Sequence, residues 1–256
     1  MVVKKRKTRS DKGEIRATKR DLYCIQWIAD QYAARGDQIQ QLLTRYPDPQ
    51  HPFQGKYASE STTREQISRW VRAGWVVYRR VLATGPGWAY VTRVGLHLVG
   101  LHEDYTARPP SPYRLEHIYA VNQVRLWMDE ELHYLWRSER RYRAMLTLEK
   151  GESSGPIPDA LIRVDDVWVA VEVQLSELKL KEWERKLNEL VRYTILSKDT
   201  LYYEVAFAEI WVYVSIEAMK KAGDDARLKL RPEDQDRIEL IVEDDLRMDD
   251  GLSGWA

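Results

Sequence analysis

The chain has 256 residues, 44% hydrophobic and 31% charged, with 40 Lys/Arg against 40 Asp/Glu. That length suits one large domain or two modest ones, and that apolar fraction is enough for a packed core. The single cysteine, Cys24, excludes an internal disulfide and a cysteine-based zinc site, and no apolar run approaches the ~18–20 residues that span a bilayer. The basic N-terminus has no apolar signal region, so the expectation is a soluble, cytoplasmic protein without membrane contact.

The zero balance hides an asymmetry. Residues 1–113 hold 19 Lys/Arg against 10 Asp/Glu, whereas residues 114–256 hold 21 against 30. Halves of opposite sign predict two domains with different tasks. The positive half, opening on the basic tail 1–17, gains from counterion release on a phosphate backbone; the alternative is a merely solubilising tail.

Thr18 to Ala34 predicts a helix, capped by Thr18 with Asp21 and carrying Leu22, Ile25, Ala29 and Tyr32 on one stripe. Gly36 ends it, and Asp37 caps a short second helix burying Ile39, Leu42 and Leu43. TRYPDPQHPFQGKYASE is loop. Thr62 and Glu65 make the capping-box pattern of a third helix, with Ile67, Trp70 and Val71 as its apolar edge. Its other face presents Arg64, Ser68 and Arg72, four apart, with Thr63 and Arg69 beside them. Gly74 stops it. WVVYRRVLATGPGWAYV then reads as a hairpin with Arg79 and Arg80 on its first strand.

Three helices followed by a hairpin is the order of a winged helix-turn-helix domain, predicted over 18–112. It places residues 61–73 in the major groove of double-stranded DNA and the hairpin against backbone or minor groove. Thr63, Arg64, Ser68, Arg69, Arg72, Arg79 and Arg80 are the candidate contacts; the plainer reading is a solvated helix face. The loop before the third helix is longer than the usual turn of such a motif. VTRVGLHLVGL is a further packing helix, and ARPPSPYR is a linker.

In the second half, Ile118 to Leu135 has apolar residues at 118, 121, 124, 128, 132 and 135, an amphipathic helix. YLWRSER is a short strand entering Glu139, followed by a polar gap. IPDALIRVDDVWVAVEVQ, residues 157–174, reads as two strands joined at Asp165-Asp166. A helix from Ser176 to about Leu196 buries Leu180, Trp183, Leu187, Leu190, Val191 and Thr194, and AEIWVYVSI is a last strand.

Alternation along 167–174 turns Val169, Val171 and Val173 one way and Glu172 and Gln174 the other. A glutamate in so apolar a strand costs several kcal/mol if buried unpaired, on the order of magnitude known for unpaired polar groups. Asp159 holds the matching place on the preceding strand. Paired carboxylates repel unless a cation lies between them, and hard oxygen ligands suit magnesium or manganese. The plainer readings are a turn role for Asp159 and an ion pair of Glu172 with Lys186 or Arg192.

Pro158-Asp159 followed by Glu172-Val173-Gln174 resembles the PD-(D/E)xK nuclease superfamily, and the order helix, three strands, helix, strand is similar to its core. The resemblance implies metal ligation by Asp159 and Glu172, with Glu139, or Glu116, as an additional upstream acid. Gln174 stands where that pattern has lysine; Lys186 on the following helix is the candidate to supply the charge, with Tyr193 further along. Asp159, Glu172, Gln174 and Lys186 are thus the catalytic candidates. As a whole, residues 18–215 resemble the replication-relaxation family of plasmids and integrative elements. That rests on the 62–73 helix and its wing, Val91-Thr92-Arg93-Val94-Gly95-Leu96, His117-Ile118-Tyr119-Ala120-Val121-Asn122 and Trp136-Arg137-Ser138-Glu139.

The implied architecture is α+β: a winged helix, then a restriction-endonuclease-like α/β domain over 113–243 with a central mixed sheet, then an acidic tail over 244–256. The implied function is a magnesium- or manganese-dependent DNA endonuclease or nickase. The alternatives are an inactive nuclease fold serving as a replication or transfer regulator, and a protein-interaction adaptor. Replication or transfer proteins are possible partners, and a homodimer is one option for assembly. His117 and Asn122 are expected to hold the domain junction. No phosphate-cradling GxxxxGK[ST], closely spaced histidine pair or Gly-x-Ser-x-Gly elbow occurs.

Overall fold

The computed structural model describes residues 15–45, 58–81, 85–131, 135–150, 157–164, 167–199 and 207–248. The tail over 1–14, the interior of the long loop, the Asp165-Asp166 turn, the Tyr193 and Thr194 side chains and the terminal Asp249 and Asp250 lie outside them.

Helix α1 (Lys19–Asp30) begins as its sequence dictates. The Thr18 hydroxyl accepts from the Asp21 N–H while the Asp21 carboxylate accepts from Thr18, a reciprocal capping box. The helix ends at Asp30 rather than Ala34, because Ala34–Arg35 forms a short strand, β1. Helix α2 (Gly36–Arg45) follows directly and buries Ile39, Leu42 and Leu43. Asp37 makes a bidentate ion pair with Arg35 at 2.8 Å.

Helix α3 (Glu60–Arg72) starts three residues earlier than expected, capped by Ser59, whose hydroxyl accepts from the Thr62 N–H. Ile67 and Trp70 are buried, whereas Val71 is exposed, so the apolar edge is narrower than the spacing suggests. Gly74 ends the helix at φ 72°, a left-handed conformation open to glycine without steric cost. Strands β2 (Val76–Arg79) and β3 (Trp88–Val91) form the antiparallel hairpin, and β1 pairs with the far side of β3. The resulting small sheet has the order β1-β3-β2. Helix α4 (Arg93–Leu98) is capped by Thr92. Its Gly95 is obligatory: a Cβ there would stand 2.1 Å from the Trp75 carbonyl oxygen.

After a 3₁₀ turn at Pro112–Arg114, helix α5 (Leu115–Glu131) lies between the two halves. Ala120, Val121, Val124 and Met128 pack on the large sheet, while Leu115, Ile118 and Tyr119 pack against Ala33 and Trp88. Covered on two sides, it is not the one-faced helix expected, and it stops short of Leu135. Strand β4 (Leu135–Ser138) is followed by helix α6 (Glu139–Lys150), which replaces the expected polar gap. Strands β5 (Ala160–Val164) and β6 (Val167–Gln174), helix α7 (Leu180–Asp199) and strand β7 (Phe207–Val214) complete the expected order. Helices α8 (Glu217–Arg227) and α9 (Pro232–Gln235) and strand β8 (Ile238–Val242) extend it.

The large sheet is mixed. Its order is β4-β5-β6-β7-β8, with β4, β5 and β6 antiparallel and β6, β7 and β8 parallel. Val169, Val171 and Val173 face α5, and the opposite face meets Trp183, Leu187 and Leu190 of α7. Leu180, expected in that stripe, is exposed. Asp244, expected to open the acidic tail, instead starts a 3₁₀ turn whose Leu246 is 0% exposed in the α5 layer. The mixed α+β class expected from the sequence therefore holds. Among the described residues no helix is long and apolar enough to cross a membrane.

Candidate functional site

Asp159 stands immediately before β5, whose Ala160 pairs with Val171, so the register sets Asp159 beside Glu172. The Asp159 Oδ2 accepts from the Val173 N–H at 2.8 Å, and Oδ1 meets the His117 Nε2 at 2.7 Å. Glu172 is 9% exposed on the α7 side of β6. Its Oε2 lies 3.2 Å from Lys186 Nζ, and the same ammonium donates to Gln174 Oε1 at 2.8 Å. Gln174 Nε2 donates to the Ser176 carbonyl and hydroxyl oxygens, both at 2.8 Å. Four residues singled out from the sequence thus share one end of the sheet, and His117 and Ser176 join them.

Burial and the neighbouring Asp159 charge push the Glu172 carboxyl up to about 7, against the opposing pull of Lys186. Burial alone would lower the His117 pKa, but its bond to Asp159 and the two carboxylate charges raise it. Two acids straining against each other at a buried site form an arrangement whose repulsion a divalent cation relieves. Glu139 is placed differently. Its carboxylate is held by Arg114 at 3.2 Å and Arg143 at 2.6 Å, while its main-chain N–H donates to the Asp159 carbonyl. Glu116 is exposed on α5. Among the described residues no three His, Cys, Asp or Glu side chains form a ready ligand set.

The Gln174 amide has partners at both ends, Lys186 on its oxygen and the 176 turn on its nitrogen. His117 touches Asp159, while Asn122 alone takes the junction role expected of both. The Asn122 Nδ2 donates to the Ala33 carbonyl at 2.9 Å and to Gln38 Oε1 at 3.0 Å. The contact between His117 and Asp159 has no local signal, since the two are 42 residues apart.

In the first half, Arg64, Ser68 and Arg72 are exposed and line an open hollow of about 990 Å³ with Arg20. Arg64 pairs with Glu60 one turn earlier. Thr63 does not belong to this face, and Arg69 borders the hollow but is engaged by a buried acid. Thr63 is 0% exposed and its hydroxyl donates to the Ser59 carbonyl at 3.0 Å. Arg69 Nη1 reaches the buried Asp21 at 2.7 Å, and the same carboxylate accepts from Gln66 Nε2 and Trp70 Nε1. Arg79 and Arg80 are exposed at the end of β2. Comparison with family models, curated proteins and solved structures finds no match for this chain.

Proposed function

We propose that this chain is a DNA-binding protein of a plasmid or mobile element that cuts DNA in a metal-dependent manner, of replication-relaxation type. The order α1-β1-α2-α3-β2-β3 and the β1-β3-β2 sheet support the winged-helix reading of the first half. Arg64, Ser68, Arg72, Arg79 and Arg80 remain its candidate contacts with duplex phosphates and base edges. The observation that carries the catalytic reading is the convergence of Asp159, Glu172 and Lys186 at one sheet end, with a lysine delivered from α7 to the place where Gln174 leaves none.

Asp159 and Glu172 would hold magnesium or manganese, and the donor set fits, since both are carboxylates, and burial together with their mutual repulsion raises the Glu172 pKa. Such an ion, when bound, polarises the phosphodiester and acidifies water. Lys186 orients Glu172 and adds positive charge for the anionic transition state. His117 fixes the rotamer of Asp159, and Ser176 fixes Gln174.

The test is incubation of supercoiled plasmid with magnesium or manganese and either parent, Asp159→Ala or Glu172→Ala. Nicked circle from the parent alone supports the reading. Equal conversion by all three means a contaminating nuclease. A non-catalytic DNA platform is the second reading, favoured by the fully engaged Gln174 amide. It predicts retained gel shift and no cleavage.

A further inference from the structure

A cleft of about 500 Å³ opens between the 103–111 loop and the start of α6. Four arginines line it, Arg108, Arg114, Arg140 and Arg143, against Glu103 and Asp104, and Arg114 and Arg143 are already paired with Glu139. Asp104 is already paired with Arg141 at 2.6 Å. Arg140 is the unusual member. Its Nη1 and Nη2 donate to the Ala29 and Thr106 carbonyls, each at 2.7 Å, and its guanidinium stands 4.9 Å from the Tyr32 ring centre and 4.4 Å from that of Tyr105. The Asp30 carboxylate charge also acts on it. Partial burial lowers its pKa.

A half-buried cation in the wall, with the exposed Arg108 at the mouth, is the chemistry that recognises a phosphate. Tyr32 takes φ 67°, a costly conformation for an aromatic residue that persists only where its surroundings over-determine it. The wall is therefore preformed. The volume lies within the roughly 300–1,000 Å³ of pockets that take small organic groups, and is too small for a duplex. Tyr32, Arg114 and Arg140 also line a hollow of about 20 Å³ that reaches His117 and Asp159.

We propose that this cleft binds the phosphate backbone of a single DNA strand, a contact separate from the α3 face. It deepens the DNA-cutting reading and rests on it for the strand's destination beside Asp159, but its readout is binding alone. Fluorescence anisotropy of a labelled oligothymidylate is followed against salt for the full chain, Arg108→Ala, and the charge-matched Lys221→Ala. The parent binds, and the cleft variant weakens with a log–log salt slope shallower by about 0.7, the value of one single-strand phosphate contact. The charge-matched variant stays at parent level. No binding by the parent, an unchanged cleft variant, or an equal loss in the charge-matched variant overturns the proposal. Loss confined to the cleft variant supports it even where plasmid is never nicked, an outcome that sinks only the catalytic reading.

Discussion

The Lys186 ammonium lies 3.2 Å from the Glu172 carboxylate, although α7 delivers one residue and β6 the other. That pairing places a lysine beside a strand acid without a lysine on the strand. If the positive charge matters more than its point of attachment, moving it back should be tolerated. Lys186→Gln is expected to lower plasmid nicking by about 10²-fold, in the range for a positioned proton-transfer or charge-bearing group. Adding Gln174→Lys to that variant should recover at least part of the rate, read from nicked circle against time. A double variant no better than Lys186→Gln would show that the helix position itself is required.

The raised Glu172 pKa makes a stability prediction. Burial and the Asp159 charge lift it from 4.5 to about 7, so its favourable contribution is complete below about 4.5 and is lost as pH climbs through about 7. Glu172→Gln should therefore melt above the parent at pH 8, with the gap closing toward pH 5. A tenfold change in proton affinity is worth about 1.4 kcal/mol, and each kcal/mol moves the midpoint of a chain this size by about 2–4 °C. A parent that melts higher than the variant at pH 8 without metal would contradict the assignment.

Asp21 is the polar hub of the first half. Its burial would raise its pKa, but bonds from Arg69, Trp70 and Thr18 hold the carboxyl below its usual value. Asp21→Ala leaves Arg69, Gln66 and Trp70 without their shared acceptor and should cost about 3–5 kcal/mol, the scale for breaking a buried pair. Urea unfolding checks this, and a loss under about 1 kcal/mol, the scale of an exposed pair, would refute the hub. Because the pKa is lowered, this stabilisation is present above about pH 3.8 and disappears as pH falls below it.

Exposed and engaged arginines of α3 should separate experimentally. Arg64→Ala/Arg72→Ala is expected to weaken duplex binding and flatten the log–log salt slope by about 1.8, at about 0.9 per phosphate contact, with an unchanged melting midpoint. Arg69→Ala should lower the midpoint instead, since its guanidinium is spent on Asp21. Equal effects of both on binding, with no change in stability, would return Arg69 to the candidate DNA contacts.

Local signals are legible in the sequence and distant ones are not. The Thr18–Asp21 cap, the Gly74 stop and the β5–β6 hairpin are each set within a few residues, and each appears where its pattern places it. Strand β1 escapes because two residues carry no period, and α6 because ERRYRAMLTLEK looks polar until Arg140 and Arg141 find partners in the first half. Helix spacing alone assigns Arg69 and Thr63 to the candidate DNA face. The carboxylate that claims Arg69 is 48 residues away, and the carbonyl that claims Thr63 lies inside its own first turn. The Asp159–Glu172 pair is legible from strand alternation; its His117 neighbour, on a helix across the sheet, is not.

Manganese titration of the full chain, followed by the loss of the free-ion paramagnetic resonance signal, bears most directly on whether these two carboxylates share one ion. One saturable site per chain is expected, abolished by Asp159→Ala and by Glu172→Ala and kept by Lys186→Gln. Absence of saturable binding, or binding undiminished in both carboxylate variants, would contradict the account.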